Sequence, residues 1–349
     1  FLEGRTGAAL AAWNRGDEPR LDLVQIDGLK RTRYAVVLNR LDLDPGSLMT
    51  ARSFRRARRR LSDFPVFESS RLDYRPLPGG IVEVDAVVLE RPLVLDWPVD
   101  AALLAVRTYT AKELEVSLAS PAGSGDLWTA AWRWEGNRPR VRAAVSRPEV
   151  AGLPGILSVE GFREQQTYDT DLVSIYIPEA RAIPQGTDST SAGTVRETRR
   201  HVGVSWREWW SGDLMCQADL GLDQWEGQNS RFLSVGMTLE LRPFRNAISL
   251  RIQAARWLAL SRGRPFAIGT ADAVWRSTVL GARSTVVEAH VGYRAAGADA
   301  PPALWPGTGT GRGRADLLRA HPLLDGGIVR GPAFGRSLWS TGLEFDYLP

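Results

Sequence analysis

The sequence is poor in lysine and cysteine, and each scarcity excludes a class of partner or site. Of the 44 basic residues only Lys30 and Lys112 are lysine, and the net charge is only +4. Nucleic-acid-binding surfaces usually cluster both basic residue types with aromatic residues between them, so this composition does not favour a nucleic-acid partner. Cys216 is the single cysteine, which excludes an internal disulfide and a thiolate metal site.

Long apolar runs are also missing. A membrane-spanning helix needs about 18 uninterrupted apolar residues, and Arg, Asp, Glu or Gly interrupts every run of this chain. The sequence therefore excludes a helical membrane protein. The hydrophobic fraction of 44% is nevertheless near the globular average, so a folded chain is expected. The chain begins at Phe1 without a signal-peptide pattern, which leaves export undecided.

Motifs for chemistry are equally scarce. His201, His290 and His321 are far apart and lie in different local contexts, so a zinc triad is not predicted. The stretch GTGTGRGR, 307–314, lacks the Lys-Ser/Thr of a phosphate-binding loop, and we interpret it as a surface loop. No nucleophile or paired-carboxylate pattern rises above the background of acidic residues. We therefore expect no catalytic residues, no metal and no cofactor.

Residues 21–92 mix the periods of strands and helices. A short strand, LDLVQIDG, precedes two helical stretches, and Thr50 is positioned to cap the second. Two strands follow, FESSRLDYRPL and GIVEVDAVVLERP, joined by the turn residues 78–80. The apolar stripes of the helices are Tyr34, Val37, Leu38 and Leu41 in the first and Phe54, Ala57, Leu61 and Phe64 in the second. The predicted order is strand, helix, helix, strand, strand.

The second helix, ARSFRRARRRLSDF, is rich in arginine. Because its apolar stripe faces the core, we expect the arginines to point outward. A solvated face is the favoured interpretation, and contact with phosphate or lipid is the alternative.

From about residue 112 the apolar period changes to two. In LMCQADLGLD, for example, apolar residues alternate with Gln217, Asp219 and Asp223, and FLSVGMTLELR, AISLRIQAARW and STVVEAHVGYR repeat the pattern. The segments run about ten residues, near the 9 to 11 that cross a bilayer as tilted strands, and short turns separate them. Several of the 13 tryptophans fall at strand ends, where interfacial aromatic girdles are expected.

A soluble β-sandwich also alternates, so two architectures remain at this point. We favour a closed transmembrane barrel because the polar face of the strands carries so many charges, and because lipid requires every backbone group of a sheet to be paired.

The first region resembles a polypeptide-transport-associated (POTRA) domain. The element order, the DPGS turn before the second helix and the closing GGIVEVDAVVLERP strand carry this resemblance over 21–92. It implies a sheet edge that receives extended client chains by strand addition, and we assign that edge to Val82, Val84 and Val87.

The order of a POTRA unit followed by a barrel is similar to the domain layout of the bacterial surface antigen superfamily. This superfamily includes BamA- and TamA-type assembly proteins and two-partner secretion transporters. ELEVSLASP, DLWTAAWRWE, RPRVRAAVSRP and GILSVEGFREQQTYD look like successive barrel strands. The family has a long loop that folds into the lumen on a Val-Arg-Gly-aromatic motif. Val329, Arg330 and Gly331 match it, whereas Pro332 replaces the aromatic residue and Phe334 follows two positions later. On this pattern Arg330 pairs with a carboxylate of the inner wall.

The expected organisation is therefore mainly β. Residues 1–20 are a linker or the end of an earlier domain, 21–92 the POTRA-like domain, and 93–349 an outer-membrane barrel with a long loop at 300–337. The resemblance implies sixteen strands in the family, and we expect about twelve here, with the C-terminal strands missing.

Three functions follow from these expectations. The first is assembly or translocation of polypeptides at the bacterial outer membrane, with the POTRA domain in the periplasm. Its partners would be unfolded client polypeptides, periplasmic chaperones or accessory subunits, and the lipid bilayer, with no nucleic acid. The second is a two-partner secretion transporter of one exoprotein. The third, of another class, is a passive porin or structural barrel, for which a POTRA domain has no use.

Overall fold

A computed structural model describes residues 19–78, 80–92, 105–106, 108–110, 112–169, 193–226, 230–243, 247–277, 284–306, 324–329 and 335–348. The predictions for the segment before residue 19, for His321 and for Arg330, Gly331 and Phe334 lie outside these residues. The described part contains a small three-stranded sheet with two helices and a large antiparallel sheet. None of its helices is long and apolar enough to cross a membrane.

The small domain has the predicted order of elements. Its parts are β1 (Arg20–Asp27), α1 (Tyr34–Leu41), α2 (Ala51–Ser62), β2 (Phe67–Leu77) and β3 (Ile81–Glu90). The sheet order is β1-β3-β2, with β1 parallel and β2 antiparallel to β3. Two helices between β1 and β2 carry the chain across one face of the sheet, so that the last strand can enter between the first two.

Local chemistry fixes the second helix as predicted. Thr50 Oγ1 accepts a hydrogen bond from the Ser53 backbone N–H at 3.0 Å, and Ser53 Oγ accepts one from the Thr50 N–H at 3.0 Å. This reciprocal capping box satisfies two donors that a helix start otherwise leaves unpaired. The predicted stripe of α2, from Phe54 to Phe64, is buried in the core. In α1 the exception is Tyr34, which is half-exposed and donates its hydroxyl to the Val24 carbonyl oxygen.

The structure corrects the predicted sheet edge. Val82, Val84 and Val87 lie on β3, which is the central strand and is paired on both sides. Val82 and Val84 are fully buried, whereas Val87 is exposed on the opposite face of the sheet. Alternation along a strand reveals its faces but not its neighbours, which is why the edge was assigned to the wrong strand. The edges of this sheet are β1 and β2.

The large sheet contains eleven strands that pair antiparallel with their neighbours in chain order. They are β4 (Glu113–Ala119), β5 (Leu127–Arg133), β6 (Arg140–Pro148), β7 (Ile156–Asp169), β8 (Thr194–Trp209), β9 (Leu214–Glu226), β10 (Ser230–Leu241), β11 (Ile248–Ala259), β12 (Phe266–Arg276), β13 (Ser284–Ala296) and β16 (Ser337–Leu348). Two short strands between β13 and β16, β14 (Leu324–Asp325) and β15 (Ile328–Val329), form a hairpin. This hairpin pairs with β7 through β15. The sheet is curled, because one buried cluster joins residues from β7 to β13.

The register confirms the predicted separation of faces. Leu220 and Leu222 of β9 oppose Val235 and Leu233 of β10, and Leu220, Leu222 and Val235 are exposed. The alternate positions carry polar groups, and Asp223 of β9 opposes His201 of β8. The convex face is therefore apolar and exposed, while the concave face is polar and charged. The fold class predicted from the sequence, mainly antiparallel β preceded by a small α+β domain, is confirmed.

Candidate functional site

A polar chamber of about 330 Å³, partly open to its surroundings, lies on the concave face of the large sheet. Its lining carries both signs of charge, and Arg142 Nη2 lies 2.9 Å from Glu160 Oε2. The charged and polar residues of the lining include Arg142, Ser158, Glu160, His201, Ser205, Arg207, Gln217 and Asp219. A chamber with balanced charges offers a hydrated interior rather than a site for one ion. Within the described ranges, no cluster of His, Cys, Asp and Glu could hold a metal.

Next to the chamber, Asp223 of β9 is the centre of a buried network of polar side chains that includes His201 of the chamber lining. Its Oδ1 lies 2.8 Å from Arg199 Nε and 2.9 Å from His201 Nδ1, and its Oδ2 accepts from Trp257 Nε1 at 2.7 Å. Glu164 of β7 adds a second carboxylate, 4.0 Å from Arg199 Nη1. The network joins β7, β8, β9 and β11 through side chains. It holds the concave wall in one shape, because each buried charge keeps a partner.

The small domain meets the large sheet at a buried ion cluster. Glu208 at the end of β8 pairs with Arg40 of α1 through Oε2 and with Arg60 of α2 through Oε1, the latter at 2.6 Å. Arg60 also reaches Asp42, with Nη1 2.9 Å from Oδ2. Arg40, Arg60 and Glu208 are only 1%, 5% and 3% exposed. Burial lowers the pKa of Arg40 below its usual value, and the charge of Glu208 opposes that effect.

A second contact of the junction surrounds Trp209. Arg59 Nε donates to the Gly212 carbonyl oxygen at 3.0 Å, and its guanidinium carbon lies 5.1 Å from the centre of the Trp209 ring. Trp209 Nε1 donates to Asp63 Oδ2 at 3.2 Å. A Cβ at Gly212 would stand 2.4 Å from Arg55 Cβ, so only glycine permits this approach. The favoured prediction of a solvated arginine face is therefore wrong for Arg59 and Arg60, which bind the large sheet.

The turn between β4 and β5 makes a third contact with the small domain. The Arg33 N–H donates to the Gly123 carbonyl oxygen at 3.0 Å. Gly125 packs against Phe64 so closely that a Cβ would lie 2.8 Å from the phenyl ring. Because the turns β4–β5 and β8–β9 lie at the same end of the sheet, the small domain covers that end.

At the opposite end of the sheet, apolar side chains form a buried cluster. Trp305, in the segment after β13, is fully buried, and its Nε1 donates to the Ala300 carbonyl oxygen at 2.7 Å. Trp257 and Phe266 stack with ring centroids 5.0 Å apart. The members of this aromatic cap are Tyr168, Trp225, Phe232, Trp257, Phe266, Ala296, Ala300, Trp305 and Val329.

One carboxylate fastens the segment that contains Trp305. Glu197 Oε2 on β8 accepts from the Ala303 N–H at 2.8 Å and from the Tyr168 hydroxyl at 3.2 Å. A short 3-10 helix, Pro302–Leu304, presents that N–H. The segment is therefore attached to the wall by a directional contact as well as by burial.

The hairpin of β14 and β15 lies at this end too. Asn137 Nδ2 donates to the Gly326 carbonyl oxygen at 2.8 Å, and Gln166 Nε2 donates to the Gly327 carbonyl oxygen at 3.1 Å. Val329 pairs with Tyr168 and is fully buried in the aromatic cap. The loop thus folds inward at Val329. The pairing of Arg330 with a wall carboxylate, and the roles of Gly331 and Phe334, stay predictions.

Sequence reasoning missed Glu208, Trp305 and the Asp223 network. Trp305 stands between prolines in PPALWP, and a large aromatic residue in a proline-rich loop is the one sign that could have indicated an inserted segment. Glu208 lies in WREWW, and nothing in that stretch identifies partners more than a hundred residues away.

No protein-family model matches the chain, and no curated protein sequence matches it. Among solved structures, the chain is similar to BamA from Haemophilus ducreyi lacking POTRA domains 1-3, with 9% identity, a TM-score of 0.42, and coverage of 80% of this chain and 56% of that one. CdiB from Acinetobacter baumannii is also similar, with 9% identity, a TM-score of 0.46, and coverage of 94% of this chain and 60% of that one. CdiB from Escherichia coli has 13% identity and a TM-score of 0.42, with coverage of 79% of this chain and 54% of that one. The chain spans little more than half the length of these structures.

Proposed function

We propose that this chain belongs to an outer-membrane protein in which the large sheet is part of a β-barrel and the small domain is a POTRA domain in the periplasm. The observation that carries the proposal is the inversion of the large sheet, with apolar side chains exposed outside and charges inside. A soluble protein rarely exposes apolar patches beyond a few hundred Å², whereas lipid favours such a face.

The tryptophans support the same environment. Four tryptophans of the large sheet are about half-exposed or more: Trp128 on β5, Trp210 directly after β8, Trp275 on β12 and Trp339 on β16. Interfacial rings combine an apolar body with an N–H donor and are favoured at the membrane–water boundary. In a water-soluble sheet, the same exposed rings would promote aggregation.

The function that fits this architecture is the handling of polypeptides, either their assembly into the membrane or their translocation across it. The small domain has two sheet edges, β1 and β2, and a sheet edge can bind an extended client by strand addition. Clients would be outer-membrane or secreted polypeptides, delivered with the help of chaperones or accessory subunits. Export of one dedicated exoprotein remains the second candidate.

A passive porin is less well supported. A porin needs an open aqueous path, whereas here the small domain lies at one end of the concave face and the aromatic cap is buried at the other.

The proposal is tested first by cell fractionation and by the gel mobility of the unheated and heated protein. A membrane-embedded barrel should fractionate with the outer membrane and run faster unheated. A soluble protein with unchanged mobility would disprove it.

The client-binding step needs a separate test. A photo-crosslinking residue is placed at Gln25 on the β1 edge, at Ser69 on the β2 edge and, as a control, at Val87 on the central strand. We expect client polypeptides to crosslink at one edge and not at Val87. Many crosslinked clients favour assembly and one secreted polypeptide favours export, whereas equal crosslinking at all three positions would contradict strand addition.

A further inference from the structure

The segment after β13, residues 297–305, is attached to the wall of the large sheet at several points, and we call it the strap. Its first N–H donates to the Ala267 carbonyl oxygen on β12 at 2.8 Å. In its middle, the Ala303 N–H donates to Glu197 Oε2 on β8 at 2.8 Å. Its last residue, Trp305, is fully buried in the aromatic cap. Glu197 therefore holds the strap against the wall through a directional contact.

Glu197 lies on a part of β8 that extends beyond the neighbouring strands. Thr198 pairs with Glu226, the last residue of β9, so Glu197 is one residue past the end of that strand. On its other side Glu197 pairs with Gln166 of β7, and the last pairing of β7 with β6 is two residues earlier, at Glu164. The carboxylate therefore lies at the rim of the sheet, outside the span that we propose to cross the membrane.

The contacts of Glu197 do not include a cation. Its two hydrogen-bond donors, the strap N–H and the Tyr168 hydroxyl at 3.2 Å, are both neutral, and Glu197 makes no ion pair with any residue that the structure describes. The guanidinium of Arg199, two residues further along β8, already lies 2.8 Å from Asp223 Oδ1 and 4.0 Å from Glu164 Oε1. When ionised, Glu197 is thus a third carboxylate around one guanidinium, and it is the one without a close pair.

The other charged groups near Glu197 and the strap are in contact with groups of their own. They are Arg140 with Glu164, His201 with Asp223, Arg264 with Asp299, and Arg336 with the Trp305 ring. An ionised carboxylate at Glu197 is costly, because burial removes water and the donors that replace it carry no charge. Burial, together with the charge of Glu164, raises the pKa of Glu197 from the usual 4.5 to about 7, although Arg199 and the two hydrogen bonds oppose the rise.

We propose that Glu197 is a proton-operated latch, which keeps the strap docked on the wall when it is protonated and releases the strap when it is ionised. The protonated carboxyl still accepts from the Ala303 N–H, whereas the ionised form is solvated better by water than by two neutral donors. An acid whose pKa is higher in the docked state than in the detached state favours docking as the pH falls, and this preference is lost as the pH rises through the docked value. Release withdraws Trp305 from the aromatic cap. The inference goes beyond the proposed function and is independent of the client that the protein handles.

The test measures hydrogen exchange of strap peptides by mass spectrometry, on the whole chain folded in neutral detergent micelles. Labelling times are scaled to the intrinsic exchange rate at each pH, so that protection at pH 6 and at pH 8 can be compared. With a pKa of about 7 in the docked state and the usual 4.5 in the detached state, protection of the Ala303 amide should fall about tenfold over this interval. Glu197→Gln is neutral at every pH and should keep the strap protected at both.

Two further variants separate the latch from a general effect of pH. Tyr168→Phe removes one donor to the carboxylate and should move the midpoint of the exchange profile to higher pH. Glu226→Gln, at the end of β9 and paired in the parent chain with Arg163 at 3.2 Å, should keep the parent profile. Equal protection at pH 6 and pH 8 in the parent, or an equal fall in Glu197→Gln, would overturn the inference. Heat-modifiable mobility identifies a variant that has not folded, and if Glu197→Gln is one, an unchanged midpoint in Tyr168→Phe would also overturn the latch.

Discussion

The two ends of the concave face have opposite chemistry. At the end that carries the small domain, the contacts are mainly charged, with Glu208 between Arg40 and Arg60 and with Arg59 on Trp209. The other end carries the aromatic cap, whose members come from the strands and from the segment after β13. The lining between them is polar.

The difference separates contacts made mainly by ion pairs from contacts made by apolar burial. Burying an ion pair costs about as much free energy in desolvation as the attraction between the charges returns. The ion pairs therefore fix the position of the small domain more than they stabilise the fold. Separation of this end would also uncover Trp209 and the side of Phe64 that packs on Gly125. The aromatic cap gains its stability from burial, and its removal would expose several rings together.

The largest effect is expected at Glu208. Glu208→Ala leaves Arg40 and Arg60 buried without their shared carboxylate, and loss of one partner from a buried pair costs about 3–5 kcal/mol. The junction should open, seen as faster hydrogen exchange in α1 and α2, while heat-modifiable mobility persists. Glu68→Ala, at an exposed position of β2, should leave exchange unchanged. Unaltered exchange in the Glu208 variant would show that the charges do not hold the junction.

Trp305 tests the other end. Trp305→Ala removes the largest inserted side chain of the aromatic cap, and such truncations cost about 3 kcal/mol or more where the site cannot collapse. The variant should raise the single-channel conductance in planar bilayers and admit antibiotics too large for porins. Trp339→Ala, an exposed ring on the convex face, should change neither. Equal conductance in both variants and the parent chain would mean that the closure lies elsewhere.

Most of the architecture could be predicted from the sequence because it depends on period. Alternation placed the apolar residues of β9 and β10 on one face, and the helical stripe from Phe54 to Phe64 predicted the buried side of α2. Both patterns arise from local backbone geometry, which gives side chains a period of two residues in a strand and 3.6 in a helix. Capping by Thr50 is local in the same way.

The failures concern contacts between distant parts of the chain. The order of the strands is set by the crossover through α1 and α2, not by the residues of β3. The alternation of β3 therefore could not show that Val87 lies on the central strand. The sequence predicts that the arginines of α2 face solvent. Their partner Glu208 lies 148 residues after Arg60, so nothing near α2 in the sequence indicates the contact. The aromatic cap needs seven strands and the segment after β13 to meet, and no single segment encodes it.

A smaller effect separates the stability of the small domain from that of the junction. Thr50→Ala removes the cap that accepts from the Ser53 N–H, which costs about 1 kcal/mol. The helical circular dichroism signal should be lost at a lower temperature, whereas the heat-modifiable gel mobility of the protein should be unchanged. Ser62→Ala, at the exposed end of α2, should shift the midpoint by less than about 0.5 kcal/mol equivalent. If the two variants behaved alike, the capping box would be unimportant.

The smallest effect is a dependence of the small domain on pH through Glu90. Its carboxylate accepts from the N–H groups of Arg31 at 3.0 Å and Thr32 at 2.9 Å. Burial raises the pKa of Glu90, but these hydrogen bonds outweigh it and lower the pKa below the usual 4.5. An acid with a lowered pKa in the folded state stabilises that state above its unfolded pKa, and the stabilisation is lost as the pH falls through the folded value.

The small domain should therefore lose stability when the pH falls below about 4.5, by less than about 1 kcal/mol after allowance for solvent screening. The measurement is the urea midpoint of the helical signal at pH 6 and at successively lower pH. Glu90→Gln should be less stable at pH 6 and should flatten the profile, whereas Glu68→Gln should keep it. A profile as steep in the Glu90 variant as in the parent would show that Glu90 is not the source of the acid sensitivity.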